Sequence, residues 1–175
     1  MRYAAFLRGV NLGKRTVRSA ELRAAIEDLG FSDVKTLLAS GNVLFEARPS
    51  KSLKQKLEAG LEEAFGFKIG VVLRSIDELR AMVAADPFGG VVASEAANLH
   101  VMLFAEPLPE GMKLKGVAND FELPPFGPRE IFLIVYRKPD GSYLSGGSVD
   151  EMEKLIPKSA LRTSRNWNTI LKAIA

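Results

Sequence analysis

The order of hydrophobic patterns in the first 74 residues constrains the fold of this chain most strongly. Residues 2–8 alternate as a strand that is apolar on both faces, which is typical of a central strand. Patterns for a helix, two strands, a second helix and a fourth strand follow, and Gly30 and Gly66 end the two helices. The segment Ser40-Gly41-Asn42 separates the two middle strands as a hairpin turn. The order β-α-β-β-α-β predicts a ferredoxin-like unit, with two helices on one face of a four-stranded antiparallel sheet.

The second half carries similar patterns in a weaker form. Strands are predicted over residues 98–104 and 130–137 and from Tyr143, with a short amphipathic segment over residues 112–118. A second β-α-β-β-α unit with an extra C-terminal helix fits this order. We therefore predict an α+β fold with an N-terminal half (residues 1–74) and a C-terminal half (residues 75–175). Because no flexible linker separates the halves, we expect them to pack closely, as two domains or as one.

Composition excludes several classes of protein. The chain has 175 residues, no Cys and one His, so disulfide scaffolds, thiol catalysis, cysteine zinc sites and multi-His metal sites are excluded. We expect no cofactor and no metal. The strongest apolar run, residues 131–136, is far shorter than the roughly 20 residues that a membrane span requires. The apolar stretch in residues 1–8 is too short for a signal peptide, so we expect a cytoplasmic location and no membrane partner.

Charge is distributed unevenly along the chain. Residues 1–74 carry 13 Lys and Arg against 8 Asp and Glu, residues 75–130 carry 4 against 9, and residues 131–175 carry 7 against 4. The two ends are therefore basic and the middle is acidic. This pattern indicates either an anionic partner at the basic surface or charge complementarity between the halves.

The predicted topology brings two polar segments together. A right-handed crossover makes the first two strands parallel, and the hairpin then returns the third strand beside the first. We therefore expect the loop after the first strand and the hairpin tip to lie at the same edge of the sheet. Together they supply the candidate ligand-binding residues Arg8, Asn11, Lys14, Arg15, Ser40 and Asn42. Such a cluster suits a carboxylate or phosphate, although the same residue types are also typical of a tight turn and a solvated loop.

A second candidate segment precedes the last helix. Thr163 or Ser164 is predicted as its N-cap, which places Arg162, Arg165, Asn166 and Asn168 on or near the first turn. Cations at a helix N-terminus oppose the helix dipole, and a bound anion or a nearby acidic residue would relieve this. Arg165, Asn166 and Asn168 are therefore further candidate ligand-binding residues. We expect Trp167 in the core.

Several catalytic motifs can be rejected. The segment Gly9–Lys14 resembles a phosphate-binding loop, but only three residues separate its glycines and Arg15 stands where a Ser or Thr is required. His100 lies in a strand pattern and is interpreted as a structural residue. No Gly-x-Ser-x-Gly motif is present, so no catalytic constellation can be assembled. The residue types do not indicate a particular reaction.

Three stretches together resemble the signatures of the DUF1697 family, which consists of uncharacterised, mostly bacterial proteins. They are residues 3–13 (YAAFLRGVNLG), 39–45 (ASGNVLF) and 163–169 (TSRNWNT). The resemblance implies a fold of two intertwined ferredoxin-like halves, and it implies no enzymatic activity. The motif positions that it implies are Arg8, Gly9, Asn11, Gly13, Ser40, Gly41, Asn42, Arg165, Asn166, Trp167 and Asn168. This sequence departs from the family pattern where Gly13 passes directly to Lys14 and Arg15.

Four functions remain open at this point. The first is a binding protein for a small phosphate- or carboxylate-bearing ligand, with a site built from the first-strand loop, the Ser-Gly-Asn turn and the Arg-Asn-Trp-Asn segment. The second is nucleic-acid binding through basic loops, although the third strand lacks the aromatic and glycine pattern of RNA-recognition modules. The third is an enzyme that uses Asn, Arg and Ser. The fourth is a structural or oligomer-forming module whose motif residues hold loops together.

Overall fold

A computed structural model describes residues 1–11, 13–38, 41–143 and 148–175, with the side chain of Ser148 excepted. The described residues form eight strands and five helices. In chain order these are β1 (Arg2–Arg8), α1 (Ser19–Asp28), β2 (Ser32–Thr36), β3 (Asn42–Glu46), α2 (Leu53–Phe65), β4 (Gly70–Ser75), α3 (Ile76–Ala84), β5 (Ala97–Phe104), β6 (Phe121–Glu122), β7 (Glu130–Tyr136), α4 (Ser148–Glu153), β8 (Arg162–Asn166) and α5 (Trp167–Ile174).

The strands form two four-stranded antiparallel sheets, in the orders β2-β3-β1-β4 and β6-β7-β5-β8. The first order is that of a ferredoxin-like sheet, in which the first strand lies between the third and the fourth. The second order repeats it, with β5 in the place of β1. The predicted α+β fold with two ferredoxin-like antiparallel sheets and an extra C-terminal helix is therefore confirmed.

The chain divides into two compact units. The first unit comprises residues 1–81 with residues 171–175, and the second comprises residues 82–170. The domain limits drawn from sequence, at residues 74 and 75, stay a prediction about which segments fold together.

The core of the first unit lies between its sheet and helices α1 and α2. Leu22 and Ile26 of α1 are fully buried, as are Leu57 and Leu61 of α2, because each pair is spaced by four residues and so lies on one helix face. On the sheet, Phe45 is fully buried in this layer, and the core also includes Tyr3, Ala5, Leu7, Val43 and Val71. Burial of apolar surface at this interface is the main contribution to the stability of the unit.

A capping box formed by Ser75 and Glu78 stands at the start of α3. The backbone N–H of Ser75 donates to Glu78 Oε2 at 2.7 Å, and the backbone N–H of Glu78 donates to Ser75 Oγ at 3.1 Å. These two bonds satisfy donors that have no partner within the helix. They fix the point at which strand β4 ends and helix α3 begins.

Replacing Ser75 by Ala should lower the free energy of unfolding by about 1 kcal/mol, because it removes the acceptor for the Glu78 N–H. Urea unfolding followed by circular dichroism measures this loss. The control is Ser159→Ala at an exposed position, which should change stability by less than about 0.5 kcal/mol. Equal effects of the two substitutions would show that the capping box does not stabilise α3.

The fourth strand of the second sheet is not the one that the sequence predicts. A strand was predicted from Tyr143, but Tyr143 is not in a strand, and residues 144–147 lie outside the described part. The fourth strand is β8, which pairs with β5 from His100↔Asn166 to Phe104↔Arg162. Thr163 and Ser164 lie within β8, so the prediction of either residue as the N-cap of the last helix is wrong. The sequence of β8 is so polar that its pattern was interpreted as a helix start.

The connection between β5 and β6 also differs from the prediction. The segment over residues 112–118 was interpreted as amphipathic, but the structure shows no helix between residues 105 and 120. Pro107, Pro109 and Gly111 disfavour a helix at the start of this connection. At its end, Gly116 packs so closely that a Cβ there would lie 2.5 Å from the Phe121 carbonyl oxygen. The crossover between β5 and β6 therefore contains no helix.

Candidate functional site

The described residues of the first-strand loop (residues 9–11 and 13–18) and of the hairpin tip (residues 37, 38, 41 and 42) lie at the same end of β1. Phe6 is paired with Asn42, and the backbone N–H of Leu7 donates to the Gly41 carbonyl oxygen at 2.9 Å. On the other side of β1, Arg8 is paired with Gly70 at the start of β4. We call this edge the β1 rim: Arg8, the first-strand loop, the hairpin tip and residues 67–70. The prediction that the end of β1 and the hairpin tip share one edge of the sheet is thus confirmed for the described residues.

Asn11 fastens the first-strand loop. Its backbone is left-handed, with φ 48°, and Gly9 and Gly13 on either side also have positive φ, at 84° and 58°. The Oδ1 atom of Asn11 accepts the backbone N–H of Val17 at 3.0 Å, and Val17 is buried in the core of the unit. Asn is one of the few residues that adopt the left-handed conformation readily. The side-chain carbonyl of Asn11 therefore anchors the loop to the residues that lead into α1.

Asn42 closes the hairpin. Its side chain is buried, with 6% exposure, and its Nδ2 atom donates to the Leu37 carbonyl oxygen at 2.9 Å. The backbone N–H of Leu37 in turn donates to the Asn42 carbonyl oxygen at 2.9 Å. The amide of Asn42 thus contacts the backbone of the tip. The predicted site residue Ser40 lies outside the described residues.

The cationic side chains of the rim are exposed. Arg8, Lys14 and Arg15 all face solvent, and residues 8–18 contain four cationic residues and no carboxylate. The guanidinium of Arg15 lies over the ring of Phe67, 4.8 Å from its centroid. Within the described ranges, no carboxylate forms an ion pair with Lys14 or Arg15. The loop therefore presents positive charge that its neighbours do not neutralise.

A cleft of about 320 Å³ lies beside the rim. It is lined by Glu58, Glu62, Lys68, Ile69 and Gly70. The Glu58 carboxylate accepts Lys54 Nζ at 2.7 Å and the backbone N–H of Val71 at 3.0 Å. One of the two carboxylates of the cleft is thus engaged in holding α2 against β4. The lining is of mixed charge, unlike the loop.

Phe67 and Lys68 were not among the sequence-predicted site residues, although a signal for them existed. The ferredoxin-like order places the fourth strand beside the first in the antiparallel sense. The start of the fourth strand must then lie at the end of the first. In the structure, a Cβ on Gly9 would lie 3.5 Å from the Lys68 carbonyl oxygen, which shows how closely the two segments approach.

Arg165 and Asn166 belong to β8 in the second unit, not to a helix. Arg165 pairs with Val101 and donates from Nη1 to Thr163 Oγ1 and, at 2.8 Å, to the Ser164 carbonyl oxygen. Burial lowers the pKa of its guanidinium from the ordinary value. Asn166 Oδ1 accepts the backbone N–H of Asn168 at 2.9 Å, so Asn166 is the N-cap of α5. A site shared by these residues and the β1 rim stays a prediction.

Trp167, which was expected in the core, is half-buried and packs in an aromatic cluster of the second unit. Its ring lies 5.0 Å from that of Phe88 and 6.1 Å from that of Phe132, in edge-to-face arrangements. His100 is half-buried on β5, and desolvation lowers its pKa. The interpretation of His100 as a structural residue stays a prediction.

A second cleft, of about 420 Å³, lies at the opposite end of the first sheet, beyond the last residue of β3. Its lining includes the cationic residues Arg48 and Lys56 and the ring of Phe31. Lys56 Nζ lies 4.9 Å from the centroid of the Phe31 ring. This cleft was not foreseen from the sequence. It shows that the first unit places a cation over an aromatic ring at two separate positions.

Comparison with known proteins gives a family without an assigned activity. The family described as "Protein of unknown function (DUF1697)" matches residues 1–123. No curated protein matches the sequence. Among solved structures, the chain is similar to the conserved bacterial protein SP0830 from Streptococcus pneumoniae. The two share 26% sequence identity with a TM-score of 0.68, and the match covers 98% of this chain and 95% of that chain. No helix within the described residues is long and apolar enough to cross a membrane. Because the family match covers residues 1–123 of 175, the chain belongs to the DUF1697 family.

Proposed function

We propose that this protein binds a small anion, a phosphate- or carboxylate-bearing molecule, at the β1 rim. The observation that carries the proposal is the exposed positive charge of Lys14 and Arg15, which no carboxylate of the described residues pairs. Charge-assisted hydrogen bonds from guanidinium and ammonium groups are the strong contacts to such ligands. Arg8 lies on the same rim and adds to the attraction.

The asparagines have a different role in this proposal from the cations. The side-chain bonds of Asn11 to Val17 and of Asn42 to Leu37 hold the loop and the hairpin tip in place. A loop that is already ordered loses less conformational entropy when a ligand binds. Asn11 and Asn42 therefore prepare the rim, and the cations contact the ligand.

Neutralising the two loop cations in the double variant Lys14→Gln/Arg15→Gln should weaken binding at least about tenfold, because the loss of even one charge-assisted bond costs about 1.5–3 kcal/mol. We would titrate ¹⁵N-labelled protein with inorganic phosphate, and then with nucleotides and sugar phosphates, at low ionic strength. The measurement is the chemical-shift change of the backbone amides of residues 9–15.

The matched control removes the same charge elsewhere on the first unit. Arg23 and Arg80 are exposed on helices and pair with Glu27 and Asp77, so Arg23→Gln/Arg80→Gln also lowers the net charge by two. This variant should bind phosphate as the unaltered protein does. If both variants weaken binding equally, the effect is one of net charge and the rim is not a site.

Nucleic-acid binding through the same loop is the second candidate, and the four cations of residues 8–18 favour it. Its signature is an affinity for single-stranded RNA or DNA that falls with salt, with a slope of about −0.7 for each phosphate contacted. Strong binding of oligonucleotides without binding of mononucleotides or phosphate would favour it over the small-anion proposal. If no anion of either kind binds, the motif residues serve to hold loops.

A further inference from the structure

The contact between Arg15 and Phe67 determines how the first-strand loop can present its positive charge. The guanidinium lies 4.8 Å from the centroid of the Phe67 ring, and Phe67 itself is half-buried against the core of the first unit. In the part of the chain that the structure describes, Arg15 makes no side-chain hydrogen bond. The described interaction of its guanidinium is therefore with an aromatic ring that packs against the core.

A guanidinium over an aromatic ring keeps its hydrogen-bond donors available. The attraction arises between the positive charge and the negative face of the ring, so it uses no N–H group. The planar fork of donors matches two oxygens of one carboxylate or phosphate, and an ammonium group cannot reproduce that match. Because the ring restricts the motion of the guanidinium, less freedom is lost when an anion binds.

We infer that Phe67 is a positioning residue for Arg15, and that the anion bound at the β1 rim is held by two adjacent oxygens along the edge of the guanidinium. This inference rests on the proposed function and narrows it. Phe67 acts through Arg15 and does not itself contact the ligand. The ligand class is one with a carboxylate or a phosphate group, in preference to a monatomic anion such as chloride.

The first unit offers a matched control for this role. Phe31 is also half-buried against the same core, and it also lies beneath a cation, Lys56. Lys56 and Phe31 line the cleft at the opposite end of the sheet. Phe31→Leu therefore removes the same number of atoms and the same type of contact as Phe67→Leu, but far from Arg15.

The test measures affinities for inorganic phosphate and for acetate by ¹⁵N nuclear magnetic resonance, with chloride as the monatomic comparison. Phe67→Leu should weaken phosphate binding about two- to fivefold, which is the range expected from the loss of an exposed cation–π contact. Phe67→Tyr, which keeps the ring, should bind as the unaltered protein does, and so should Phe31→Leu. In an Arg15→Gln background, Phe67→Leu should have no further effect. The phosphate and acetate arms show which of the two groups the rim prefers.

The outcomes separate the inference from the function on which it rests. If Phe67→Leu binds phosphate with unchanged affinity while Arg15→Gln binds it more weakly, Phe67 does not position Arg15, but the anion site is still supported. An equal loss in the Arg15→Gln background, or an equal loss in Phe31→Leu, also overturns it, because the effect is then one of general packing. If chloride binds as tightly as phosphate, the inference that two oxygens of one anion contact the guanidinium is wrong. If the unaltered protein binds neither phosphate nor acetate at residues 9–15, the proposed function fails and the inference fails with it.

Discussion

The variant Asn42→Asp should be less stable than the unaltered protein by about 3 kcal/mol at pH 7. Asn42 Nδ2 donates to the Leu37 carbonyl oxygen from a buried position, and a carboxylate there would place a negative charge against that oxygen. A buried charge that faces an acceptor costs more than the 1–3 kcal/mol of an unsatisfied neutral group. Urea unfolding followed by circular dichroism measures the difference between the two proteins.

The stability that Asn42→Asp loses, relative to the unaltered protein, should increase as pH rises. Burial beside a carbonyl oxygen raises the pKa of the new carboxyl above its value of about 3.9 in the unfolded chain. The folded state then holds a proton that the unfolded state has lost, so stability relative to the unaltered protein falls as pH rises above about 4. Near pH 4 or below, the protonated carboxyl can donate to Leu37, and most of the deficit should disappear.

The control for this variant is Asn168→Asp at an exposed position in the first turn of α5, where the helix dipole favours a carboxylate, so this variant should not be less stable than the unaltered protein at pH 7. If Asn42→Asp loses the same stability at pH 4 and at pH 7, the predicted repulsion between the carboxylate and the Leu37 carbonyl oxygen is wrong. The hairpin tip would then depend on Asn42 for its shape and not for its amide donor.

Replacing Phe45 by Ala should cost about 3–5 kcal/mol, the range for large aromatic residues in a well-packed core. Phe45 is fully buried on β3, and its ring lies 5.7 Å from that of Tyr3 and 5.0 Å from that of Phe31. The variant should unfold at a much lower urea concentration. The control is Leu38→Ala, where the side chain is 47% exposed and the expected change is below about 0.5 kcal/mol. A cost under about 1.5 kcal/mol would show that the layer between sheet and helices adjusts to the lost ring.

The first half of the fold could be predicted from the sequence because its local signals agree with one another. Apolar residues spaced by four define α1 and α2, and Gly66 adopts the left-handed conformation that ends α2. The strand β8 could not be predicted in this way. It is an edge strand, of which Thr163 alone is buried, so its sequence lacks the apolar alternation by which strands are recognised.

The candidate site was predictable at the level of topology and not at the level of contacts. Strand order alone placed Asn11 and Asn42 at one edge of a sheet. That both amides bond to backbone groups depends on the positions of Val17 and Leu37, which no local pattern specifies. The contact of Arg15 with Phe67 likewise depends on the conformation of the residues that precede β4, which no local pattern specifies.

The carboxylate of Glu58 has a consequence beyond the cleft that it lines. Strand β4 is at the border of its sheet, where outward backbone N–H groups offer attachment points to a strand from another molecule. One of these groups, on Val71, is already occupied by Glu58 from α2. A foreign strand would have to displace a negatively charged acceptor in order to extend the sheet there. The same bond that joins α2 to β4 should therefore hinder strand pairing at Val71.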